Sequence, residues 1–235
     1  SGDAGLSGRQ DGAFILMEKT LKIEVYSDVV CPWCYVGKRR LERALTEFGG
    51  DVRVTWRPFQ LNPTMPKDGL DRTAYLEAKF GSLATFRQLE EHVQAAGASE
   101  RITFAFEKIA RTPNTFAAHR LIWLGEREGC QDAVVDALFR GYFEEGADIG
   151  SSAVLVQLAA QAGLPDESVE RLLRSDEGTA EVKAEESAGH KLGIRGVPYF
   201  VLDGTYAISG AQPVDIFVSA LKRVAGDRAQ RKAGV

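Results

Sequence analysis

The order of predicted strands and helices at the two ends of the chain constrains its fold most strongly. Residues 21–26 alternate apolar and polar side chains, which is typical of a β-strand with one buried face. Residues 35–48 carry apolar side chains at helical spacing and precede a Gly-Gly pair, which predicts a helix that ends there. Residues 52–56 again have the pattern of a strand. We therefore expect a βαβ unit with a right-handed crossover.

A hairpin near the C-terminus supplies further strands. Residues 199–202 and 206–209 have strand patterns and flank an Asp-Gly pair that is typical of short hairpin loops. A final helix is predicted over residues 215–224. From residue 66 to residue 192, helical patterns recur and no strand of convincing length is present. Because the two ends must share one sheet to bury both of its faces, we predict an α/β fold with a long helical insertion.

Composition excludes several classes of protein. The chain is 44% hydrophobic and 26% charged, which argues for a globular fold and against wholesale disorder. Its net charge of −4 argues against a protein that mainly grips nucleic-acid phosphates. No apolar run approaches the roughly 18 residues of a membrane-spanning helix. Three cysteines are too few for a disulfide-stapled secreted scaffold, so we expect a hydrophobic core.

Cys31 and Cys34 form a C-x-x-C motif between the first strand and the first helix. Such a pair is half of a zinc site or a redox dithiol. Zinc would need two more ligands, but Cys130 stands alone and the three histidines are scattered, so we predict no metal site. A dithiol within a βαβ pattern is typical of redox chemistry instead.

The start of the helix assigns different roles to the two cysteines. Unpaired N–H groups and the helix dipole favour negative charge at Cys31, and Pro32 suits the first turn because its missing N–H has no partner to lose. We therefore expect a Cys31 pKa below the usual value of about 8.5, and Cys31 as the nucleophile. Cys34, one turn deeper, is predicted to remain a thiol and to resolve the mixed disulfide. Residues 38–40, Lys-Arg-Arg, are predicted to form a solvated face of this helix.

Three stretches of the sequence carry a family resemblance. They are YSDVVCPWC at 26–34, NTFAAHRL at 114–121 and GVPYF at 196–200. This pattern resembles the DsbA-like branch of the thioredoxin superfamily, and its FrnE-type members in particular. The resemblance implies a thioredoxin fold, a central mixed sheet with flanking helices, that carries an inserted all-α domain. We expect the thioredoxin-like domain over residues 17–65 plus 190–228 and the insertion over 66–189, with a tail or leftover segment at 1–16 and a frayed C-terminus at 229–235.

The resemblance also implies a function. Members of this branch are thiol–disulfide oxidoreductases or isomerases without a bound cofactor, so the active group here would be the Cys31–Cys34 disulfide. From the residues alone Pro198 would be trans, because only about 5–6% of X-Pro bonds are cis in folded proteins. The resemblance implies a cis Pro198 that faces the dithiol, with the Val197 backbone free to pair with a substrate strand. Trp33, next to the dithiol, is expected to offer an apolar contact to substrate.

Several other residues have both a functional and a structural interpretation. Glu24 either lies beneath Cys34 and moves its proton, as carboxylates in thioredoxin-like proteins often do, or points to solvent from an alternating strand. Asn114 is either a helix cap or a substrate-groove residue. His119 either lies buried under the domain interface or lines the groove. Asp28 is predicted to be a turn residue, and Cys130 a spare thiol.

Two alternatives remain open beside the disulfide oxidoreductase. One is a glutathione-dependent isomerase or transferase of the 2-hydroxychromene-2-carboxylate isomerase or kappa type. The sequence resembles these enzymes in its insertion architecture, but they typically have serine in place of Cys31. The other is a non-catalytic, chaperone-like binding module. Expected partners are proteins with thiols or disulfides, with glutathione or a thioredoxin-type reductant as further candidates, and no nucleic acid or membrane. Without a visible leader, we expect a cytoplasmic protein.

Overall fold

A four-stranded mixed sheet organises the protein, whose computed structural model describes residues 20–233. The strands are β1 (Leu21–Ser27), β2 (Val52–Pro58), β5 (Tyr199–Leu202) and β6 (Tyr206–Ser209). Their order is β2-β1-β5-β6; β1 runs parallel to β2 and antiparallel to β5, which pairs with β6 as a hairpin. Val25 of β1 lies opposite Phe200 of β5, so both side chains point to the same face of the sheet.

Two helices cover that face. α1 (Pro32–Phe48) begins directly after Cys31 and ends at Gly49, which adopts the left-handed conformation common at helix C-termini. α9 (Val214–Ala233) packs along α1, and its Phe217 ring lies 4.8 Å from the Phe200 ring in an edge-on contact. Tyr26 points to the opposite face of the sheet, where it packs against Phe59 and Ile194.

The insertion between β2 and β5 is almost entirely helical, as predicted. Its helices are α2 (Arg72–Phe80), α3 (Leu83–Ser99), α4 (Phe116–Glu128), α5 (Gln131–Phe143), α6 (Ser152–Gln161), α7 (Asp166–Arg174) and α8 (Thr179–Lys191). Side-chain caps begin the first two: Asp71 accepts from the Ala74 N–H (2.9 Å) and Ser82 from the Thr85 N–H (3.2 Å). Two two-residue strands, β3 (Leu70–Asp71) and β4 (Arg111–Thr112), also pair within it.

One hydrophobic core continues from the sheet into the insertion. Tyr35 of α1 is fully buried, stacks on Phe139 of α5 at 5.1 Å and meets Phe104 edge-on at 6.1 Å. Buried side chains of β1, α1, α4, α5, α6 and α9 belong to the same cluster. The helix α1 is therefore packed from both sides, by α9 and by the insertion.

The predicted solvated face at residues 38–40 is wrong. Lys38 is 1% exposed, and its Nζ lies 2.9 Å from the Asp132 carboxylate of α5. Arg40 Nε donates to Glu100 at 3.1 Å. Glu42 of α1 pairs with Lys38 as well, but Asp132, Asp136 and Glu100 come from the insertion. These three carboxylates are far away in sequence, so a local charge pattern gives no sign of them.

The C-terminal prediction also needs correction, because α9 continues to Ala233 through the segment expected to be frayed. The tail predicted at residues 1–16 lies outside the described residues. Within residues 20–233, no helix combines the length and the apolar character required to cross a membrane.

Candidate active site

The two cysteines lie at the start of α1, where the chain turns from β1 into the helix. Cys31 is the N-cap residue, and its N–H donates to the Asp28 carbonyl at 3.0 Å. Cys34 lies in the first turn of the helix, and its N–H donates to the Cys31 carbonyl at 3.0 Å. Both thiols are free, with exposed fractions of 6% for Cys31 and 0% for Cys34. A reagent or substrate can therefore reach Cys31 before it reaches Cys34.

The pKa of the Cys31 thiol is lowered from its ordinary value. The main cause is the Cys34 thiol, which donates a hydrogen bond to the Cys31 sulfur. The backbone N–H groups of Cys34 and Trp33 at the helix start lower this pKa further, while burial and the nearby Asp28 charge act in the opposite direction. The direction of this pKa shift agrees with the prediction, but its main cause is the Cys34 thiol, and the helix N-terminus makes the smaller contribution.

The pKa of the Cys34 thiol is raised well above its ordinary value. Burial is the main cause, followed by the hydrogen bond to Cys31 and the proximity of its sulfur. A proton on Cys34 thus stabilises a thiolate on Cys31, and the two sulfurs titrate as one coupled pair. The arrangement favours a thiolate on Cys31 over a thiolate on the more deeply buried Cys34.

The second half of the fold brings Val197 and Pro198 to the dithiol. The Val197–Pro198 peptide bond is cis, and the Cys31 thiol donates to the Val197 carbonyl at 3.6 Å. Gly37 of α1 makes this approach possible: a Cβ there would lie 3.1 Å from both Pro198 Cγ and Phe200 Cζ. Because Gly37 has no side chain, α1 can pack closely against this loop.

A largely apolar cavity of about 550 Å³ opens beside the dithiol. Pro32 and Trp33 form its wall on the side of the dithiol, and α2 and α3 of the insertion form the far wall. Trp33 is 37% exposed at this edge. The volume lies within the range of about 300–1,000 Å³ that is typical of ligand pockets.

The structure separates the remaining predicted residues from the dithiol or gives them structural contacts. The Glu24 side chain is 41% exposed and pairs with Arg57 Nε at 3.0 Å, so its predicted place beneath Cys34 is wrong and the solvent-facing alternative holds. Asn114 does not line the cavity, and Thr115 holds the N-cap position of α4. The Asn114 side-chain oxygen nevertheless accepts the N–H of Phe116, the first residue of α4, at 2.9 Å, as a capping side chain does, and its NH2 group donates to the Met65 carbonyl at 2.7 Å. His119 is buried and does not line the cavity either.

Asp28 is the site residue that the sequence pattern did not indicate. It lies in the predicted turn before Cys31, and its side chain is buried, with an exposed fraction of 1%. Its carboxylate accepts hydrogen bonds from the Leu61 N–H (2.8 Å) and His119 Nε2 (3.2 Å). A sequence signal does exist, because Asp28 and His119 both belong to the stretches that carry the family resemblance.

Comparisons with known proteins agree with this geometry. Residues 22–222 match the profile of the DSBA-like thioredoxin domain family. A probable DsbA oxidoreductase from Streptomyces coelicolor is 38% identical in sequence, with a TM-score of 0.81 over 88% of this chain and 90% of that one. The Bacillus subtilis protein YwbO, described as uncharacterised, is 28% identical over 203 residues, which cover 86% of this chain and 96% of YwbO.

A more distant structure shares the fold. The cytosolic disulfide reductase DsbM from Pseudomonas aeruginosa, in a structure with glutathione, has a TM-score of 0.58 at 18% identity, over 86% of this chain and 98% of that one. The profile match spans both halves of the sheet and the helical insertion between them. The chain belongs to the DSBA-like thioredoxin domain family.

Proposed function

We propose that this protein is a thiol–disulfide oxidoreductase that acts on protein disulfides through Cys31 and Cys34. The observation that carries the proposal is the geometry of the pair: Cys31 lies at the N-terminus of α1 beside the Val197 carbonyl, and Cys34 is fully buried one turn into the helix. The hydrogen bond from the Cys34 thiol lowers the pKa of Cys31, whereas burial raises that of Cys34. One sulfur can attack as a thiolate while its neighbour keeps a proton until the second step.

The reaction proceeds through a mixed disulfide. The Cys31 thiolate attacks one sulfur of the substrate disulfide; the Cys31–substrate bond forms, the substrate S–S bond breaks, and the released sulfur takes up a proton. Cys34 then loses its proton and attacks the Cys31 sulfur, so the Cys31–Cys34 disulfide forms and the second substrate thiol leaves. The substrate gains the two electrons and two protons that the dithiol gives up, and no bound cofactor takes part. The reverse sequence oxidises a dithiol substrate.

The surroundings of Cys31 support a peptide substrate. The Val197 backbone lies beside the Cys31 sulfur and can pair with an extended segment that carries the target cysteine. The exposed Trp33 ring and the apolar cavity behind it suit an apolar side chain next to that cysteine. We therefore propose that the substrate is recognised by main-chain hydrogen bonds to Val197 and by an apolar contact with Trp33 and the cavity.

Glutathione or a thioredoxin-type reductant is the proposed partner that returns the pair to the dithiol. Pseudomonas aeruginosa DsbM, a cytosolic disulfide reductase whose structure contains glutathione, supports glutathione as a candidate. In the cytoplasm, the compartment we propose, the pair would rest as the dithiol and reduce its substrates. A mixed disulfide at Cys31 that is attacked by another thiol of the same substrate would give isomerase activity.

Insulin-disulfide reduction tests the proposal. We expect Cys31→Ser to abolish the activity, because no nucleophile remains, and Cys34→Ser to accumulate a mixed disulfide that a non-reducing gel detects. Cys130→Ser is the matched control; burial raises the pKa of that thiol, and its loss leaves the activity unchanged. Full activity in both Cys31→Ser and Cys34→Ser would refute the proposal.

Incubation with glutathione disulfide distinguishes the alternatives. An oxidoreductase gives a covalent adduct at Cys31 in the Cys34→Ser variant, detected by mass spectrometry. A stoichiometric but non-covalent glutathione complex that turns over aromatic carboxylates would point to the glutathione-dependent isomerase. Suppression of protein aggregation that is equal in the wild type and in Cys31→Ser, without disulfide exchange, would point to the binding module.

A further inference from the structure

The backbone of Asp28 forms hydrogen bonds with both Cys31 and Cys34. Its carbonyl accepts the Cys31 N–H at 3.0 Å. Its own N–H donates to the Cys34 sulfur, a contact that acts against the strong rise of the Cys34 pKa caused mainly by burial. The main chain of Asp28 is thus fixed relative to the dithiol, and its side chain leaves from the same short turn.

The carboxylate of Asp28 is held on two sides. Oδ2 accepts the Leu61 N–H at 2.8 Å, from the segment that follows β2. Oδ1 lies 3.2 Å from Nε2 of His119, which is 3% exposed and belongs to α4 of the insertion. A carboxylate with two partners and 1% exposure has one fixed orientation. The carboxylate and its two partners come from three separate segments of the chain.

Among residues 20–233, neither a lysine nor an arginine forms an ion pair with this carboxylate, whose pairing partner is His119. Charge in a poorly solvated site acts over longer distances than on the surface. A negative group close to Cys31 therefore opposes formation of the Cys31 thiolate, while the Cys34 thiol and the helix start favour it.

We propose that Asp28 is a positioning residue that limits the oxidising power of the Cys31–Cys34 pair, and that His119 holds its carboxylate in place. This inference rests on the redox dithiol of the proposed function. The thiolate exists only in the reduced form, so a charge that destabilises the thiolate destabilises the dithiol relative to the disulfide. Asp28 thereby makes the pair more reducing than the helix start alone would make it.

The equilibrium of the pair with glutathione tests this inference. Asp28→Asn keeps the size of the side chain and an acceptor for the Leu61 N–H but removes the charge. We expect the equilibrium constant with reduced and oxidised glutathione to move about tenfold towards the dithiol, together with a fall of about one unit in the Cys31 pKa. Glu24→Gln is the matched control, because that carboxylate is 41% exposed and paired with Arg57, and it should leave the equilibrium unchanged.

Variants of His119 separate a positioning role from a purely structural one. His119→Gln retains a donor for the carboxylate and should keep the wild-type equilibrium. His119→Phe removes the donor and should move the equilibrium in the same direction as Asp28→Asn. In the Asp28→Asn background, His119→Phe should have no further effect, because the carboxylate through which it acts is gone.

Two results would overturn the inference: an Asp28→Asn equilibrium within twofold of the wild type or shifted towards the disulfide, or a His119→Phe effect that persists in the Asp28→Asn background. Circular dichroism of each variant verifies that it is folded. The readout needs only the dithiol and glutathione, so it remains valid if protein disulfides prove not to be the substrate.

Discussion

Two glycines lie inside helices of the thioredoxin-like domain, and their surroundings differ. Gly37 of α1 faces Pro198 and Phe200, each 3.1 Å from where a Cβ would lie. At Gly226 of α9, no neighbouring atom of the described residues lies within 4 Å of that position. Glycine in a helix interior is less favourable than alanine by roughly 0.5–1 kcal/mol. A close contact such as that at Gly37 can offset this cost, because alanine would clash there.

Alanine at these two positions should therefore have different effects. We expect Gly226→Ala to raise the free energy of unfolding by about 0.5–1 kcal/mol. Gly37→Ala should show no such gain and should slow exchange between the dithiol and glutathione, because the methyl group pushes the loop at Pro198 away from Cys31. Urea unfolding and stopped-flow exchange measure both effects. An equal gain in stability at both positions would contradict the close approach of helix and loop.

The positions of single carboxylates could not be taken from the sequence. Glu24 and Asp28 both precede the dithiol. Strand alternation suggests solvent exposure for Glu24 but gives no indication for Asp28, which follows β1. Asp28 is buried because Leu61 and His119 supply its hydrogen bonds, and both residues are distant in sequence. By contrast, Cys31 and Cys34 could be identified, because a helix N-terminus acts locally on the residues at its start.

At the scale of elements, a side chain of the insertion completes the edge of the sheet. Trp56 of β2 donates its N–H to Gln131 Oε1 at 2.9 Å, and Gln131 Nε2 donates to the Trp56 carbonyl at 3.0 Å. The buried amide thus pairs with the strand edge as a neighbouring backbone would. The insertion is joined to the sheet by hydrogen bonds as well as by packing.

Removal of the Gln131 amide should destabilise the protein more than most single substitutions do. Gln131→Ala leaves one buried N–H and one buried C=O of Trp56 without partners, each of which costs about 1–3 kcal/mol. We expect a loss of about 2–4 kcal/mol in the free energy of unfolding, measured by urea denaturation. Gln157→Ala, at an exposed position of α6, should change stability by less than about 0.5 kcal/mol. A Gln131→Ala variant as stable as this control would rule out the pairing.

Local patterns are sufficient to place most elements. The predicted strands at 199–202 and 206–209 have the same bounds in the structure, and the Gly-Gly pair marks the end of α1. The helix predicted over 215–224 is the exception, since α9 continues to Ala233. Its last turns carry the polar sequence GDRAQRKA, in which apolar periodicity is lost although helix-forming residues remain.

Across the molecule, ion pairs between α1 and α5 join the thioredoxin-like domain to the insertion. Lys38 lies among Asp132, Asp136 and Glu42, and its Nζ is 5.8 Å from the centre of the Trp56 ring. Together with the continuous hydrophobic core, these contacts join the insertion to the thioredoxin-like domain, so we expect the two to behave as a single cooperative unit. No sequence pattern indicates this, because the charges of Lys38 and its partners look solvated when each segment is considered alone.

Unfolding should therefore occur in one transition. We expect urea curves from far-ultraviolet and near-ultraviolet circular dichroism to coincide. Lys38→Met should lower the free energy of unfolding by about 1–3 kcal/mol and move both curves together to lower urea concentration. The loss is smaller than for a fully buried ion pair, because Asp132 is 65% exposed and can be hydrated. Two separate transitions, or a shift in one probe alone, would mean that the insertion unfolds independently.

The pH dependence of alkylation tests the central claim, that one sulfur of the pair is a stabilised thiolate and the other a retained thiol. The reduced protein is treated briefly with iodoacetamide from pH 4 to pH 10, and mass spectrometry quantifies each cysteine separately. Cys130, whose pKa burial raises, is the internal reference. Because its pKa is lowered, Cys31 should stay reactive as the pH falls below the ordinary thiol value of about 8.5, while Cys34 stays unmodified. Cys31 and Cys130 that lose reactivity over the same pH range, or a Cys34 that reacts first, would contradict the account.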